Sequence, residues 1–274
     1  VMPPRKSALS KMKSLDVLSK PNLTHIQSFY AVAKHGSLRA ASRAGGGSLA
    51  TLSRHITALE KKLKVVLYDR RGEGFFLTQN GTKLFEYANE VEIAGLIALC
   101  KQGAVDVAAV GNEVLYREDL EANALVKYIE RVKAEVSGVP VGYVDAYYEF
   151  TDHPEVSDAC DIILANCYPY WEGCAIDYSL MYMKQMYMEA KIAGKGKPVL
   201  ITETGWPSSG QSIGGAQASF ENSLKYFISA QRWSAAEDIP MFYFSSFDES
   251  WKIEKEGDVG ASWGLWDKDE QLKF

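Results

Sequence analysis

The sequence has no apolar run that approaches the roughly 20 residues needed to cross a membrane. The first 18 residues contain basic side chains but no apolar segment of the kind found in secretory signals. These two absences argue against a membrane partner and lead us to expect a cytoplasmic protein. A hydrophobic content of 47% and a charged content of 24% are ordinary for a globular chain.

Cysteine is also scarce, and none of the four cysteines stands in a C-x-x-C pair. No histidine stands at a metal-ligand spacing from any of them. We therefore interpret the cysteines as reduced thiols in a core, with a disulfide or a metal site as the alternatives. We expect no metal and no other cofactor. The four are Cys100, Cys160, Cys167 and Cys174.

Acidic side chains are few in the first third of the chain. Residues 1–91 have 15 Lys and Arg against 6 Asp and Glu, a net charge of +9. Residues 92–274 have 15 against 29, a net charge of −14. A charge difference of this size indicates two parts with different partners. The basic part is expected to attract a polyanion and the acidic part to repel one.

The spacing of apolar residues in the basic part predicts helices. Residues 22–36, 37–45 and 48–64 have helical spacing, with Asn22 and Ser37 as candidate caps. Short strands are predicted in VVLYDRR and FFLT, around an RGEG turn, and helical spacing then returns. Two readings stay open from this pattern alone. One is a winged helix-turn-helix that contacts DNA, and the other is a small helical bundle with a solvated basic face.

Residues 22–91 resemble the DNA-binding domain of LysR-type transcriptional regulators. The segments that carry the resemblance are FYAVAKHGSLRAASRA, LSRHITALEKKL, VLYDRR and FLTQNG. The resemblance implies double-stranded DNA as a partner and a dimerising helix from Thr78 onward. The turn departs from the family at Gly45, Gly46 and Gly47, and Ala50 stands where many members have Pro. The implied DNA-contacting residues are Ser48, Thr51, Ser53 and Arg54 on the recognition helix, with Arg70 and Arg71 at phosphates near the wing.

In the acidic part, short apolar runs alternate with helical patterns. The runs cover residues 104–113, 139–148, 160–170, 197–205 and 239–249. This alternation predicts a parallel sheet whose two faces are covered. Polar and aromatic residues follow each run, at the end that forms the active site in parallel α/β folds. They are Asn112, Glu113, Asp145, Tyr147, Asn166, Tyr168, Trp171, Glu203, Trp206, Asp248, Glu249, Trp251 and Lys252.

Two glutamates at separate strand ends, Glu113 and Glu203, predict a carboxylate pair for glycoside hydrolysis. One member of such a pair is protonated as the general acid, and the other is ionised as the nucleophile. Tryptophan and tyrosine around them suit stacking on the apolar face of a sugar ring. The alternative for each residue taken alone is a solvated loop charge or a surface aromatic.

Residues 92–274 resemble the C-terminal portion of glycoside hydrolase family 17, the (β/α)8 barrels that act on β-1,3-glucan. The motifs that carry the resemblance are VGNE, YPYW, ITETGWPS, FDESWK and WGLWD. It implies Glu113 as the acid/base and Glu203 as the nucleophile. A further acidic position of some members is occupied here by Gly260. The implied substrate-binding or supporting residues are Asn112, Tyr168, Trp171, Trp206, Glu249 and Lys252.

The predicted fold is therefore α/β: a partial (β/α)8 barrel with strands four to eight, preceded by a helix-rich winged helix-turn-helix domain. The predicted domains are a basic flexible segment at residues 1–21, the LysR-like part at 22–91 and the incomplete barrel at 92–274. Strands one to three of a barrel have no counterpart in the sequence. An open sheet exposes edges, so we also expect the chain to self-associate.

Three functions remain in competition. The first is a retaining β-1,3-glucan hydrolase or glucanosyltransferase that uses Glu113 and Glu203, with activity impaired by the truncated barrel. The second is a LysR-like DNA-binding regulator whose effector domain has been replaced. The third is a fusion that retains family signatures without function. The acidic part is longer and its motifs are more specific, so we place the enzymatic function first.

Overall fold

The structure is a computed structural model that describes residues 23–43, 47–69 and 76–274. The chain divides into two compact units, and the division falls between Glu92 and Ile93. That position lies inside one helix, Gln79–Lys101. The predicted segment 1–21 lies outside the described residues, and the assignment of the three predicted domains stays a prediction.

The described part of the first unit consists of helices and one short antiparallel pair of strands. Tyr68 pairs with Leu77 and Asp69 with Phe76. The elements are α1 (Leu23–His35), α2 (Leu38–Ala41), α3 (Leu49–Leu63), β1 (Tyr68–Asp69), β2 (Phe76–Leu77) and the first part of α4 (Gln79–Lys101).

Helix α3 has clear sequence signals at both of its ends. Ser48 caps its start, where the side chain accepts a hydrogen bond from the Thr51 amide at 3.2 Å. The helix ends at Lys64, which takes the left-handed conformation (φ 57°). One face of α3 is fully buried in the core of this unit, because apolar residues recur at positions 52, 56 and 59.

The interpretation of this unit as a winged helix-turn-helix stays a prediction. The predicted RGEG turn with its Arg71, the preceding Arg70, and Gly45 and Gly46 lie outside the described residues. The predicted DNA-contacting residues on α3 are described, and Arg54 is exposed while Thr51 and Ser53 are half-buried.

The second unit has a four-stranded parallel sheet among its described residues, in the order β3-β4-β5-β6. This confirms the parallel α/β prediction and is consistent with a partial glycosidase barrel. The strands are β3 (Ala108–Asn112), β4 (Val141–Ala146), β5 (Ile162–Asn166) and β6 (Val199–Glu203). The helices, after the end of α4, are α5 (Ala122–Glu135), α6 (Glu149–Asp152), α7 (Pro154–Ala159), α8 (Ile176–Ala193), α9 (Phe220–Glu237) and α10 (Ile253–Glu256), with 3-10 turns at Ser250–Lys252 and Gly257–Ala261.

The prediction of a fifth strand at residues 239–249 is wrong. All of these residues are described, and they make two isolated parallel bridges, Ile201 to Met241 and Phe247 to Trp266. Beyond the Met241 bridge the chain leaves β6, and the Ser245 amide donates to the Trp263 carbonyl at 3.1 Å. The segment therefore divides its backbone hydrogen bonds between β6 and residues 263–266, and no continuous ladder forms.

The two faces of the sheet are packed differently. The face toward the helices carries the main core, with Tyr143, Ile163 and Ile201 each fully buried. Helices α5, α8 and α9 contribute the other side of that core. The opposite face has a smaller apolar cluster around Leu164. Since strand residues alternate between faces, this packing also decides on which face each polar residue near a strand end lies.

Neither a membrane helix nor a metal-binding cluster occurs in the described part of the chain. No described helix is long and apolar enough to span a bilayer. The described His, Cys, Asp and Glu side chains form no group of three or more that is placed to hold a metal ion. All four cysteines are free thiols, and Cys174 alone among them is incompletely buried.

Candidate active site

Glu113 lies one residue beyond β3, in a sharp turn. Its amide donates to the Val144 carbonyl of β4 at 2.8 Å, which fixes the start of the turn against the sheet. Glu113 itself has φ 52°, a left-handed conformation that is unusual for a residue with a side chain. Gly111 precedes it at φ 89°, and a Cβ there would lie 2.9 Å from Val114 Cγ2. The glycine of the VGNE motif is therefore required by the turn.

The carboxylate of Glu113 has two partners. Arg117 Nη1 lies 2.8 Å from Oε2, and Asn166 Nδ2 donates to Oε1 at 3.2 Å. Asn166 in turn accepts a hydrogen bond from the Thr202 hydroxyl at 2.8 Å. This chain of contacts connects the ends of β3, β5 and β6.

Arg117 was not predicted from the sequence. It also donates to the Asn112 carbonyl and forms an ion pair with Asp119. The signal that could have identified it is its position four residues after Glu113, the spacing at which opposite charges meet on a helical turn. The exposed Asn112 was predicted to bind a sugar hydroxyl, and that role stays a prediction.

Glu203 is the last residue of β6, and it is half-buried. The Tyr168 hydroxyl donates to Glu203 Oε2 at 2.8 Å, as expected for a residue that orients a nucleophile. Burial raises the pKa of Glu203, and the charges of Glu113 and Glu256 raise it further. The hydrogen bond from Tyr168 and the charge of Lys252 lower that pKa. The two predicted carboxylates are therefore close enough for the charge of one to act on the other.

Lys252, the last residue of the FDESWK motif and of the 3-10 turn Ser250–Lys252, supplies a buried positive charge to this cluster. Its side chain forms an ion pair with Glu249, and its ammonium lies 3.9 Å from the centre of the Phe244 ring. Only 8% of Lys252 is exposed, so this cation acts at low dielectric. The structure thus brings both predicted supporting residues, Glu249 and Lys252, to the site.

Glu256 is a further acidic residue that sequence reasoning missed. Burial raises its pKa, and Glu249 and Glu113 act in the same direction, whereas Lys252 lowers it. It belongs to none of the recognised motifs, so the sequence had no signal for it. Gly260 packs against it: a Cβ at Gly260 would lie 3.0 Å from Glu256 Cβ and 2.7 Å from the Lys252 carbonyl oxygen.

Of the two tryptophans predicted to bind substrate, Trp171 is accessible and Trp206 is buried. Trp171 is 38% exposed and its ring lies 5.4 Å from that of Trp263. Trp206 is fully buried, and its indole N–H donates to the Gln217 carbonyl at 2.9 Å. The expectation that Trp206 contacts a sugar does not fit this position, because its ring packs against Tyr170 in the core.

The arrangement places two carboxylates in unlike surroundings at the carboxyl ends of β3 and β6, the two outer strands of the described sheet. Glu203 is half-buried, its pKa is raised by burial and the Tyr168 hydroxyl fixes it, whereas 29% of the Glu113 side chain stays exposed beside Arg117. Unlike environments for two carboxylates are the condition for dividing acid/base and nucleophilic roles between them. The site can therefore support the two-carboxylate chemistry of glycosidic bond cleavage.

Comparisons with known proteins agree with this chemistry. The model of the BtgE/BtgC glycoside hydrolase domain matches residues 48–264, so the match begins within the first unit. Glucan 1,3-beta-glucosidase BGL2 of Candida albicans is 31% identical over 192 residues, which are 62% of this chain and 62% of that protein. A glucan 1,3-beta-glucosidase of Schizosaccharomyces pombe is 31% identical over 183 residues, covering 60% of this chain and 56% of that protein. The chain thus spans about three fifths of the length of the curated relatives it matches.

Solved structures give the same result for the fold. The glycoside hydrolase family 17 beta-1,3-glucanosyltransferase from Rhizomucor miehei aligns with a TM-score of 0.61 and 30% identity, over 82% of this chain and 81% of that chain. An endo-laminarinase from Formosa aligns with a TM-score of 0.53 over 90% of this chain and 79% of that chain. The identity to the second structure is 16%, so that likeness concerns the fold alone.

Proposed function

The chain belongs to the BtgE/BtgC glycoside hydrolase domain family, and on that premise we propose that it cleaves or transfers β-1,3-glucan by a retaining mechanism. In this proposal Glu203 is the nucleophile and Glu113 is the acid/base. The observation that supports it most directly is the hydrogen bond from Tyr168 to Glu203, within reach of the Glu113 charge. We choose β-1,3-glucan as the substrate class because the similar proteins are named for their action on it.

The surroundings of Glu203 suit a nucleophile. A nucleophile must be ionised and must keep its orientation through the reaction. The hydroxyl of Tyr168 and the ammonium of Lys252 both favour the ionised form and oppose the effect of burial. Tyr168 also fixes one carboxylate oxygen, so that the other faces the reacting carbon.

The surroundings of Glu113 suit an acid/base that exchanges protons with solvent. Its side chain is partly exposed, and Asn166 holds one oxygen while Arg117 holds the other. Glu113 is ionised when it acts as the base, and Arg117 lies within ion-pair distance of it in that form. For the acid step, we expect the bound sugar to displace Arg117 from Glu113. The Arg117 side chain is 38% exposed, so it can move into solvent.

The test is release of sugar from a laminarin-type glucan by the purified chain. We expect Glu203→Gln to abolish the release, because the variant has no nucleophile. Glu130→Gln is the matched control, since Glu130 is an exposed glutamate in the middle of α5. Sugar release that survives in Glu203→Gln would sink the assignment. Chromatography of the products separates hydrolysis from transfer, because transfer gives oligosaccharides longer than the substrate.

A second candidate function, DNA binding by residues 22–91, is favoured by one observation. Arg54 and Lys61 are both exposed on α3, and they lie two helical turns apart on the same face. Such a row of cations suits a phosphate backbone. The capping role of Ser48 limits the base contact predicted for it, because its hydroxyl lies 2.9 Å from that of Thr51.

Salt-dependent binding of a DNA duplex tests this second function. We expect the double variant Arg54→Ala, Arg70→Ala to weaken binding and to reduce the slope of log K against log salt by about one for each lost phosphate contact. Lys195→Ala is the control, since Lys195 forms an exposed ion pair with Asp158 in the other unit. An unchanged affinity in the double variant contradicts this function.

Self-association remains a proposal as well. Among the described residues, β3 pairs with β4 on one side and with no strand on the other. An unpaired strand edge is a template for another chain. Light scattering across a range of protein concentrations tests the proposal, and a stable monomer throughout that range contradicts it.

A further inference from the structure

A buried carboxylate lies beneath the turn that carries Glu113. Asp145, near the end of β4, is fully buried, and no cation contacts its carboxylate in the described part of the chain. Its Oδ2 accepts hydrogen bonds from the amides of Leu115 and Tyr116, each at 3.2 Å. Its Oδ1 accepts from the Ala146 amide at 2.7 Å. Most of the acceptor capacity of Asp145 is therefore used on backbone amides, two of which belong to residues two and three positions after Glu113.

Tyr143 completes this arrangement from the same face of β4. Its hydroxyl donates to Asp145 Oδ2 and accepts from the Leu115 amide at 2.8 Å. Burial and the hydrogen bond to Asp145 raise the pKa of Tyr143. The hydroxyl is therefore a stable donor at every pH at which the protein is studied. Its ring lies against Gly111, so Tyr143 contacts the turn both before and after Glu113.

The turn needs such support, since Glu113 is held in a conformation that is unfavourable for it. A left-handed conformation costs a residue with a side chain about 1–3 kcal/mol and persists only where the surroundings impose it. On one side, the Glu113 amide is bonded to the Val144 carbonyl at 2.8 Å. On the other side, the amides that follow are bonded to Asp145. The backbone of Glu113 is thus fixed at both ends by two consecutive residues of β4.

We infer that Asp145 is a positioning residue for the acid/base, and that it acts by holding the turn after Glu113 so that the Glu113 carboxylate faces the scissile bond. This inference rests on the proposed function for its catalytic consequence. Asp145 does not contact the substrate, and its effect passes through the backbone of Leu115 and Tyr116. Replacing its carboxylate by an amide puts an N–H group where an acceptor is required.

The first arm of the test measures the activity of the Asp145→Asn variant on two substrates that differ in their need for an acid catalyst. A natural glucan needs Glu113 to protonate its leaving group, whereas a 2,4-dinitrophenyl β-1,3-gluco-oligosaccharide does not. With azide present, the second step also needs no base. We expect kcat on the glucan to fall about 10- to 100-fold, in line with a small misplacement of a catalytic group. On the aryl substrate with azide we expect a rate near that of the wild type.

The second arm measures the turn directly, by amide hydrogen exchange in residues 113–119. We expect Asp145→Asn to speed exchange in this segment and to leave α5 unchanged. Asp161→Asn is the matched control, because Asp161 also accepts a strand amide, from Val141 at 3.1 Å, at the opposite end of the sheet. Tyr143→Phe is a second variant that keeps the ring and should show the same two effects more weakly, in case Asp145→Asn does not fold.

The possible outcomes are distinguishable. Equal losses on the glucan and on the aryl substrate, with exchange in 113–119 unchanged, overturn the inference and leave the proposed function standing. A wild-type chain that cleaves neither substrate overturns the proposed function and the catalytic role of Asp145 with it. In that event the exchange arm still decides whether Asp145 holds the turn.

Discussion

The ends of β3 and β6 each carry a glutamate, but they hold it in different ways. At β6, Glu203 is part of the strand, and a hydroxyl from the neighbouring strand end fixes its carboxylate. At β3, Glu113 is outside the strand, in a left-handed turn, and the exposed Arg117 side chain from the same turn contacts its carboxylate. One carboxylate is thus fixed by the sheet and the other by a loop that the sheet supports.

Under the proposed function, this difference gives the two carboxylates of one fold two different roles. Burial at the end of β6 raises the pKa of Glu203 and lets neutral and cationic neighbours control its ionisation. At the end of β3, solvent reaches the carboxylate of Glu113. The proposed acid/base role needs this access, because such a group takes up and releases a proton in each catalytic cycle. The comparison therefore predicts different consequences for equivalent substitutions at the two positions.

The largest predicted effect concerns which carboxylate is the nucleophile. Glu203→Ala should lose glucan cleavage by at least about 10⁴-fold, and Glu113→Ala by about 10²- to 10⁴-fold. Azide should rescue each variant on a dinitrophenyl glycoside. One displacement inverts the anomeric centre and two displacements retain it. Proton NMR should therefore show an α-glycosyl azide from Glu203→Ala and a β-glycosyl azide from Glu113→Ala, and the reverse pattern exchanges the two roles.

The second prediction tests the hydroxyl that fixes Glu203. Tyr168→Phe removes a hydrogen bond to a charged group, which contributes about 1.5–3 kcal/mol. We expect kcat/KM on glucan to fall about 10- to 100-fold. The acidic limb of the pH profile should also move to higher pH, because the pKa of Glu203 loses a lowering contribution. Tyr187→Phe, on a helix away from the site, is the control, and an unchanged limb in Tyr168→Phe contradicts the prediction.

The same two strand ends show how much of the site the sequence could predict. Glu113 and Glu203 follow apolar runs directly, and parallel strands place such residues at one edge of a sheet. The parallel sheet, the strand positions and the Tyr168 contact followed from these local patterns and from the family resemblance. Arg117 and Glu256 did not, because a charged residue in a loop looks the same in sequence whether it faces solvent or a carboxylate.

The two wrong expectations have a common cause. Trp206 and the predicted fifth strand were both interpreted from local composition, and long-range packing decided each of them. Trp206 is enclosed by aromatic rings from α9 and from the loop after β5. The segment around Ser245 pairs with residues 263–266, which the pattern could not reveal because the partner lies about 20 residues further along the chain.

The third prediction uses Lys252, whose charge acts on the β6 carboxylate. Lys252 lowers the pKa of Glu203, so Lys252→Met should let that pKa rise. A nucleophile is active when ionised, so activity is lost as pH falls through its pKa. The acidic limb of kcat/KM should therefore move to higher pH, with a several-fold loss at pH 5 and a smaller loss at pH 8. Lys184→Met, at an exposed position of α8, is the control, and a uniform loss at every pH argues against this action of Lys252.

The smallest predicted effect is on stability, and it has opposite signs at the two strand ends. The pKa of Glu203 is raised in the folded state, so folding binds a proton there, and stability is lost as pH rises from about 4.5 through the folded pKa. Glu203→Gln removes this loss and should stabilise the protein at pH 7 by about 0.5–2 kcal/mol, with the gain vanishing below pH 4.5. Glu113→Gln instead loses the ion pair with Arg117 and should destabilise by less than about 1 kcal/mol. Thermal unfolding of both variants at pH 4 and pH 7 measures the difference, and a stabilisation of equal size in both variants would show that the two strand ends do not differ electrostatically.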